Sequence, residues 1–315
     1  MSSSHVRWAD RDDARLMLIL SSERSGSTLL RFLLGEHSRL VSPQELFVLR
    51  YPDFATWRAR KRVAMESVLE YFRLLGQPTS AEAVEAACRG RSTVQVYEWM
   101  LGQLPPRRIL IDKTPAYANE LVILQRSRLL APFYVWLIRH PLGVIDSQVR
   151  LKRKLRHRKT AQTGPLGKLR ANVGEVVRQV RQHDEQVARR REAKWAAQNR
   201  NIAIFLRNVA PEQQCTIYFE DLVRQPEREI ARFCAASGLE REAQVGTLGA
   251  APEMNPHLGD PNFHQHRQVD AEMADDWLAR FPESWLRPET LALMAELDVR
   301  RPQPAAAASA SQTSR

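Results

Sequence analysis

Four short apolar segments, separated by stretches with helical spacing, set the pattern of hydrophobic and polar positions along the chain. Each is rich in apolar or β-branched residues and ends in polar ones, as the buried strands of a parallel sheet do. The segments are RLMLILSS (15–22), RRILIDK (107–113), FYVWLIR (133–139) and CTIYFED (215–221). This alternation predicts an α/β fold, a parallel β-sheet flanked by helices, whose polar strand ends line one rim where ligands gather.

Two stretches between the strands show helical spacing and no strand signal. Residues 55–105 and the highly charged residues 165–208 are both interpreted as helical insertions, which we expect to form a cap over the substrate. The expected anchors of the second insertion are Trp195, Ile202 and Phe205. After the fourth strand, Pro226 at a helix start and Gly238 as a stop signal predict a surface helix.

The length and composition indicate one large domain. A chain of 315 residues with 43% hydrophobic content can bury a sizeable core. We expect this domain over 15–300, an N-terminal extension over 1–14, and a disordered tail or linker over the low-complexity residues 301–315. Neither a stretch of about 18 to 20 apolar residues nor a signal-peptide core is present, so a soluble cytoplasmic protein is predicted.

The net charge of +11 indicates attraction to an anionic partner, whether a nucleotide, nucleic acid, a lipid surface or an acidic protein. The densest basic run, LKRKLRHRK (151–159), is interpreted either as a solvated helix face or as a docking site for an acidic partner. Three widely spaced cysteines without a CxxC pair indicate neither a metal site nor a disulfide framework. They are Cys88, Cys215 and Cys234.

The first strand runs into a small, hydroxyl-rich loop and then a helix, in the segment SSERSGSTLL (21–30). A helix N-terminus after a tight turn presents free backbone N–H groups and the positive end of the helix dipole, which favours an anion. The candidate ligands are Arg24, Ser25, Gly26, Ser27 and Thr28. The Walker lysine is absent from this loop. The simpler alternative is a capped helix after a buried strand.

A second candidate phosphate site is RHPLGVIDS (139–147). Arg139 ends the third predicted strand, Pro141 is placed to begin a helix, and Ser147 lies about two helical turns further on. A guanidinium at a strand end and a hydroxyl on the adjoining helix suit a phosphate. A surface ion pair is the alternative for Arg139.

Together the two elements resemble the sulfotransferase family that uses 3′-phosphoadenosine 5′-phosphosulfate. SSERSGSTLL looks like its 5′-phosphosulfate loop, RHPLGVIDS like its 3′-phosphate element, and YFEDLVRQPEREIARFCAASGL like its Tyr-Glu-Asp-Leu segment with the following helix. The likeness covers about residues 15–285. It implies a P-loop-like fold, this nucleotide as co-substrate, and no metal.

A closer likeness is to the sulfotransferase domains of modular polyketide synthases, which sulfate the β-hydroxyl of an acyl chain on an acyl carrier protein. The segments that resemble them are SPQELFVL (42–49), IDKTPAYA (111–118), KWAAQNRNIAIF (194–205) and LGDPNFHQHRQVDAEMADDW (258–277). An acidic carrier protein would suit the basic surface. The alternatives are a carbohydrate, lipid or small-molecule alcohol as acceptor, or a non-catalytic nucleotide- or nucleic-acid-binding protein.

Sulfuryl transfer to an alcohol needs a general base, because the hydroxyl loses its proton as the new bond forms. Glu45, in SPQEL, and His266, in GDPNFHQH, are the two candidates. Lys113 ends the second predicted strand and is expected to stabilise the bridging oxygen that takes up charge. The alternative is a loop hydrogen bond for either base and a surface position for the lysine.

Two residues depart from the family pattern. Glu23 precedes Arg24 where relatives often carry proline, and its carboxylate is expected to point away from the anion site. Phe219 stands at the tyrosine position of the Tyr-Glu-Asp-Leu segment. A hydrogen bond toward the nucleotide is therefore missing or is supplied by Tyr218.

Overall fold

The computed structural model describes residues 7–162, 173–246 and 269–302, with side chains described outside 155–182. The predicted tail over 301–315 lies outside these ranges from residue 303 onward. So does His266, together with its loop.

Five parallel strands form one sheet in the order β2-β3-β1-β4-β5. The strands are β1 (Leu16–Ser21), β2 (Leu40–Val41), β3 (Ile109–Asp112), β4 (Phe133–Ile138) and β5 (Gln214–Tyr218). The central strand β1 pairs on both sides, with Leu18 opposite Asp112 of β3 and Tyr134 of β4. The predicted parallel sheet is confirmed, and β2 was not predicted because two residues carry no periodic signal.

The central strand is apolar throughout because both of its faces are covered. Leu16, Leu18 and Leu20 contribute to one hydrophobic cluster. Met17 and Ile19 point to the other face and contribute to a second cluster. All five side chains are buried. The strand is therefore fixed by packing on both faces, and so is the start of the loop at its carboxyl end.

Eleven α-helices surround this sheet in the described ranges. They are α1 (Ser27–Gly35), α2 (Phe54–Arg60), α3 (Ala64–Leu74), α4 (Ala81–Cys88), α5 (Thr93–Gly102), α6 (Leu121–Ser127), α7 (Pro141–Gln162), α8 (Val173–Leu206), α9 (Phe219–Arg224), α10 (Pro226–Ser237) and α11 (Pro288–Glu296). The described parts of both predicted insertions are mainly helical, since α2 to α5 lie in the first and α8 in the second. The three expected anchors of α8 are buried, and α10 ends before Gly238 at φ 81° as predicted. That the insertions form a substrate cap stays a prediction.

The fourth predicted strand is too long at its carboxyl end. It stops at Tyr218, and residues 219–221 begin helix α9 instead. Glu220 and Asp221 lie in the first turn of that helix, where negative charge is favourable. The chain therefore leaves the sheet earlier than its apolar pattern predicts, and the Glu220 carboxylate accepts a hydrogen bond from the His140 N–H just beyond β4.

Three further features concern the N-terminal segment, the cysteines and the length of the apolar helices. Trp8, from the expected N-terminal extension, is buried against Phe133 with ring centroids 5.3 Å apart. The three cysteines are buried and free. No helix in the described ranges has the length and apolarity to cross a membrane.

Candidate active site

The strand ends meet at one rim, and each contributes a polar group to it. The loop 22–26 follows β1 and Lys113 follows β3, while Arg139 follows β4 and Glu220 lies just beyond β5. Glu45 comes from the segment after the short strand β2. The predicted site residues of four separate segments are thereby brought to the same edge of the sheet.

The loop after β1 is shaped by a left-handed turn. Gly26 has φ +89° and is the N-cap of α1, so no capping side chain covers the first N–H groups of that helix. Ser25 shares a hydrogen bond with Ser22, with their hydroxyl oxygens 2.6 Å apart. A Cβ on Gly26 would stand 2.4 Å from the Phe219 ring. The loop is thus an open cradle of backbone donors that only glycine allows.

Alanine at Gly26 is expected to destabilise the fold, because the ring of Phe219 is itself buried and cannot yield freely. The overpacking cost is about 1–3 kcal/mol, in addition to the strain of a left-handed alanine. Gly76→Ala is the control, because Gly76 has a similar φ of +69° with nothing within 4 Å of its added Cβ. Urea unfolding should show a larger loss for Gly26→Ala, and equal losses would contradict the steric account.

The expected 3′-phosphate element meets this loop through arginine side chains. The Arg24 Nε donates to Ser147 Oγ at 3.2 Å. The buried Arg139 donates through Nη1 to the Arg24 carbonyl at 3.3 Å and through Nη2 to the Met273 carbonyl at 3.1 Å. Burial lowers the pKa of Arg139 to about 10, so it stays charged at neutral pH. The structure therefore brings Arg24, Arg139 and Ser147 together.

Lys113 lies on the other side of the same loop, at the start of α1. Its ammonium binds Glu45 Oε1 at 2.6 Å and donates to Thr28 Oγ1 at 3.4 Å. Burial lowers the pKa of Lys113, and the Glu45 carboxylate opposes that shift. The Lys113 side chain is 2% exposed and that of Glu45 14%, so both groups are largely removed from bulk water and the carboxylate is the more exposed of the two. The lysine that follows β3 thus places an ammonium beside the start of α1, whose loop has no Walker lysine.

The loop that carries Glu45 is fixed from several directions. Ser67 Oγ on α3 donates to the Glu45 carbonyl at 3.0 Å, and the Phe47 N–H donates to Thr114 Oγ1 at 3.3 Å. Phe47 has φ 56°, a strained conformation for a bulky residue, of the kind that concentrates at functional sites. These contacts fix the backbone of the Glu45 loop, and the ion pair with Lys113 holds the carboxylate itself.

A buried polar network behind Lys113 was not predicted from the sequence. Asp112 accepts hydrogen bonds from Thr114 Oγ1 at 2.7 Å and Tyr117 Oη at 2.7 Å, and also from Tyr97 Oη. Because Thr114 in turn holds Phe47, the network joins the end of β3 to the Glu45 loop. The partners lie on different elements, so no local sequence pattern reveals them.

The Glu23 expectation is confirmed. Its carboxylate binds Arg191 at 3.0 Å and Lys194 on helix α8. Burial alone would raise the pKa of Glu23, but these two cations lower it overall. The negative charge beside the loop is therefore neutralised on the side of α8.

Tyr218 does not take over the role of the missing tyrosine. Its hydroxyl donates to the Leu297 carbonyl at 3.0 Å, and its ring faces Arg300, whose guanidinium carbon lies 4.0 Å from the ring centroid. Phe219 instead presents its ring to the Arg139 guanidinium at 4.0 Å. The aromatic ring at this position supports the arginine rather than hydrogen-bonding.

The basic run 151–159 lies on helix α7, where the side chains of Lys152 and Lys154 are exposed. Arg153 pairs with Asp184 of α8 at 2.8 Å. The positive charge of the described part of α7 is thus available at the surface.

In the described residues, no three side chains of histidine, cysteine, aspartate or glutamate form a group that could hold a metal ion.

Comparison with known proteins identifies the family. The sulfotransferase family matches residues 17–243. The sulfotransferase domain from the curacin biosynthetic pathway is 30% identical, with 92% of this chain and 99% of that chain covered and a TM-score of 0.68. The sulfotransferase domain of the Synechococcus PCC 7002 olefin synthase is 26% identical, with 93% and 98% covered and a TM-score of 0.72. No curated protein is significantly similar. The chain belongs to the sulfotransferase family.

Proposed function

We propose that this sulfotransferase moves a sulfuryl group from 3′-phosphoadenosine 5′-phosphosulfate to the β-hydroxyl of an acyl chain on a carrier protein. One observation carries the proposal. The loop after β1 has Arg24, Arg139 and Ser147 on one side and Lys113 with Glu45 on the other. Such an arrangement suits a nucleotide with two anionic groups, one of which reacts.

The residues of the rim fit that donor. The uncapped start of α1 and the cradle at Gly26 suit the 5′-phosphosulfate. Arg139 and Ser147 suit the 3′-phosphate, and among the described residues the buried Arg139 Nε has no protein acceptor. That N–H is one further donor for a phosphate oxygen. Two anchored phosphates hold the nucleotide in place without a Walker lysine on the loop.

The placement of Lys113 and Glu45 supports one role for each of them in the proposed reaction. The co-substrate, when bound, supplies the sulfuryl group and leaves as adenosine 3′,5′-bisphosphate. Lys113 donates to the bridging oxygen as the sulfur–oxygen bond breaks and charge develops there. Glu45 takes the proton of the acceptor hydroxyl as its oxygen bonds to sulfur. In the described structure Lys113 engages only Oε1 of Glu45, which leaves Oε2 for this proton.

His266 is the second candidate for the base, and its loop lies outside the described residues. The two candidates differ in the pH dependence they predict. With a carboxylate base, kcat falls only when the pH becomes acidic. With an imidazole base, kcat already falls as the pH drops through the ordinary imidazole pKa of about 6.5. The pH profile of kcat therefore separates them.

The acceptor half of the proposal is supported by the two similar domains, which come from a curacin biosynthetic pathway and an olefin synthase. The charge of +11 and the exposed lysines of α7 suit an acidic carrier protein. A sulfation assay with a β-hydroxyacyl carrier protein and the same acyl group as a free thioester tests it. We expect kcat/KM to be about tenfold or more higher for the carrier, one decade being about 1.4 kcal/mol.

Charge reversal gives the matched control for carrier docking. Lys152→Glu combined with Lys154→Glu should lower kcat/KM for the carrier-bound acceptor and leave the free thioester unchanged, because surface charge mainly affects association. Equal rates with carrier and free thioester would exclude the carrier half of the proposal. Sulfation of a carbohydrate, lipid or small alcohol in preference to both would replace it.

A further inference from the structure

The peptide that follows Arg139 is held at both of its polar atoms. The indole Nε1 of Trp195 donates to the Arg139 carbonyl at 2.9 Å. The His140 N–H of the same peptide donates to Glu220 Oε1 at 2.9 Å. A planar peptide has one orientation once its C=O and its N–H are both fixed. The backbone at Arg139, directly after β4, is therefore fixed as well.

The two holding side chains come from different elements and are both buried. Trp195 lies on α8 and is 0% exposed, and Glu220 lies in the first turn of α9 and is 2% exposed. Burial raises the pKa of Glu220 to about 7. In the described structure its Oε2 is buried without a hydrogen-bond partner, an arrangement that costs free energy.

The side chain of His140 is also held in one orientation. The His140 ring stacks on Trp277 with centroids 4.2 Å apart, and its Nδ1 accepts from the Leu142 N–H at 3.2 Å. Burial lowers the pKa of His140 to about 3, so the ring is neutral. Its Nε2 accordingly carries the hydrogen and donates to Glu283 Oε1 at 3.2 Å.

The guanidinium of Arg139 is closely packed on two sides. Its carbon lies 4.0 Å from the centroid of the Phe219 ring. On α7, a Cβ added to Gly143 would stand 2.9 Å from Arg139 Nε. The side chain of Arg139 is restricted by the Arg139–His140 peptide, the Phe219 ring and helix α7. It is thereby preorganised, as the recognition of a phosphate requires.

We infer that Trp195 and Glu220 are positioning residues for donor recognition, acting on the 3′-phosphate through the Arg139–His140 peptide. The inference rests on the proposed function, in which Arg139 binds that phosphate. In the described structure, neither side chain hydrogen-bonds to the loop 22–26, which suits the 5′-phosphosulfate. Their loss should therefore reduce affinity only for nucleotides that carry a 3′-phosphate.

Calorimetric titration with adenosine 3′,5′-bisphosphate and with adenosine 5′-monophosphate tests this inference. Trp195→Phe removes the indole donor and keeps an aromatic ring, and Glu220→Ala removes the acceptor. Each should weaken bisphosphate binding about five- to tenfold, as expected for one lost buried hydrogen bond, and change monophosphate binding less than about twofold. Glu220→Gln keeps an acceptor oxygen and should restore most of the affinity.

Trp136→Phe is the matched control. Trp136 is also buried, and in the described structure its indole donates to Asn199 Oδ1 at 3.3 Å and not to the Arg139–His140 peptide. It should leave the ratio of the two affinities unchanged. An equal loss for both nucleotides in Trp195→Phe and Glu220→Ala, or no loss for either, would overturn the inference. A wild-type protein that does not distinguish the two nucleotides would instead overturn the donor proposal.

Discussion

Replacing Arg139 with alanine should weaken the binding of adenosine 3′,5′-bisphosphate by about 30-fold or more. Removing one partner of a buried, hydrogen-bonded charge pair costs about 2–5 kcal/mol, and about 1.4 kcal/mol corresponds to tenfold in affinity. Arg139 is buried against Phe219 and the loop after β1, so water cannot replace its contacts cheaply. Isothermal titration calorimetry of the folded variant measures the loss.

The control for this prediction is Arg153→Ala. Arg153 lies on the same helix, α7, but its side chain is 53% exposed and pairs with Asp184. Surface pairs contribute about 0–1 kcal/mol, so nucleotide affinity should stay within about threefold of wild type. Undiminished bisphosphate binding in Arg139→Ala would contradict the assignment of the 3′-phosphate site.

Glu45→Gln should reduce kcat by about 100- to 10,000-fold, the range that a positioned general base contributes. The amide keeps the size of the side chain but cannot take the proton of the acceptor. Bisphosphate affinity should change little, because Glu45 faces Lys113 and not the Arg139 side of the loop. Single-turnover sulfation and calorimetry on the same protein measure the two effects separately.

Glu85→Gln is the control for the loss of a carboxylate ion pair. Glu85 pairs with Arg58 at 2.6 Å, the same distance as Glu45 and Lys113, but in a partly exposed position. It should keep full activity. If Glu45→Gln retains more than about a tenth of the rate while His266→Asn loses about 100-fold or more, the base is His266 and Glu45 serves to hold Lys113.

The three inner strands of the sheet could be predicted from the sequence because they are covered on both faces. β1, β3 and β4 are continuous apolar runs, and a polar residue marks where each ends. Placing Lys113 and Arg139 at the same rim needed only that pattern and the rule for parallel strands. Strand β2 and the early start of α9 could not be predicted, since neither changes the local periodicity.

The supporting residues of the site had no local signal. Trp195 lies 56 residues from the Arg139 carbonyl that it binds, and Glu220 lies 80 residues from the His140 N–H. From the sequence Trp195 was interpreted only as a core anchor, which its burial also fits. Hydrogen bonds between such distant residues depend on the folded geometry, and a single sequence does not encode them in any short pattern.

The most direct test of the central claim is mass spectrometry of a β-hydroxyacyl carrier protein incubated with this chain and 3′-phosphoadenosine 5′-phosphosulfate. We expect a mass gain of one sulfuryl group on the acyl chain, one adenosine 3′,5′-bisphosphate released per transfer, and loss of both in Arg139→Ala at limiting donor. Bisphosphate release without sulfation of any alcohol, or sulfation that persists unchanged in Arg139→Ala, would contradict it.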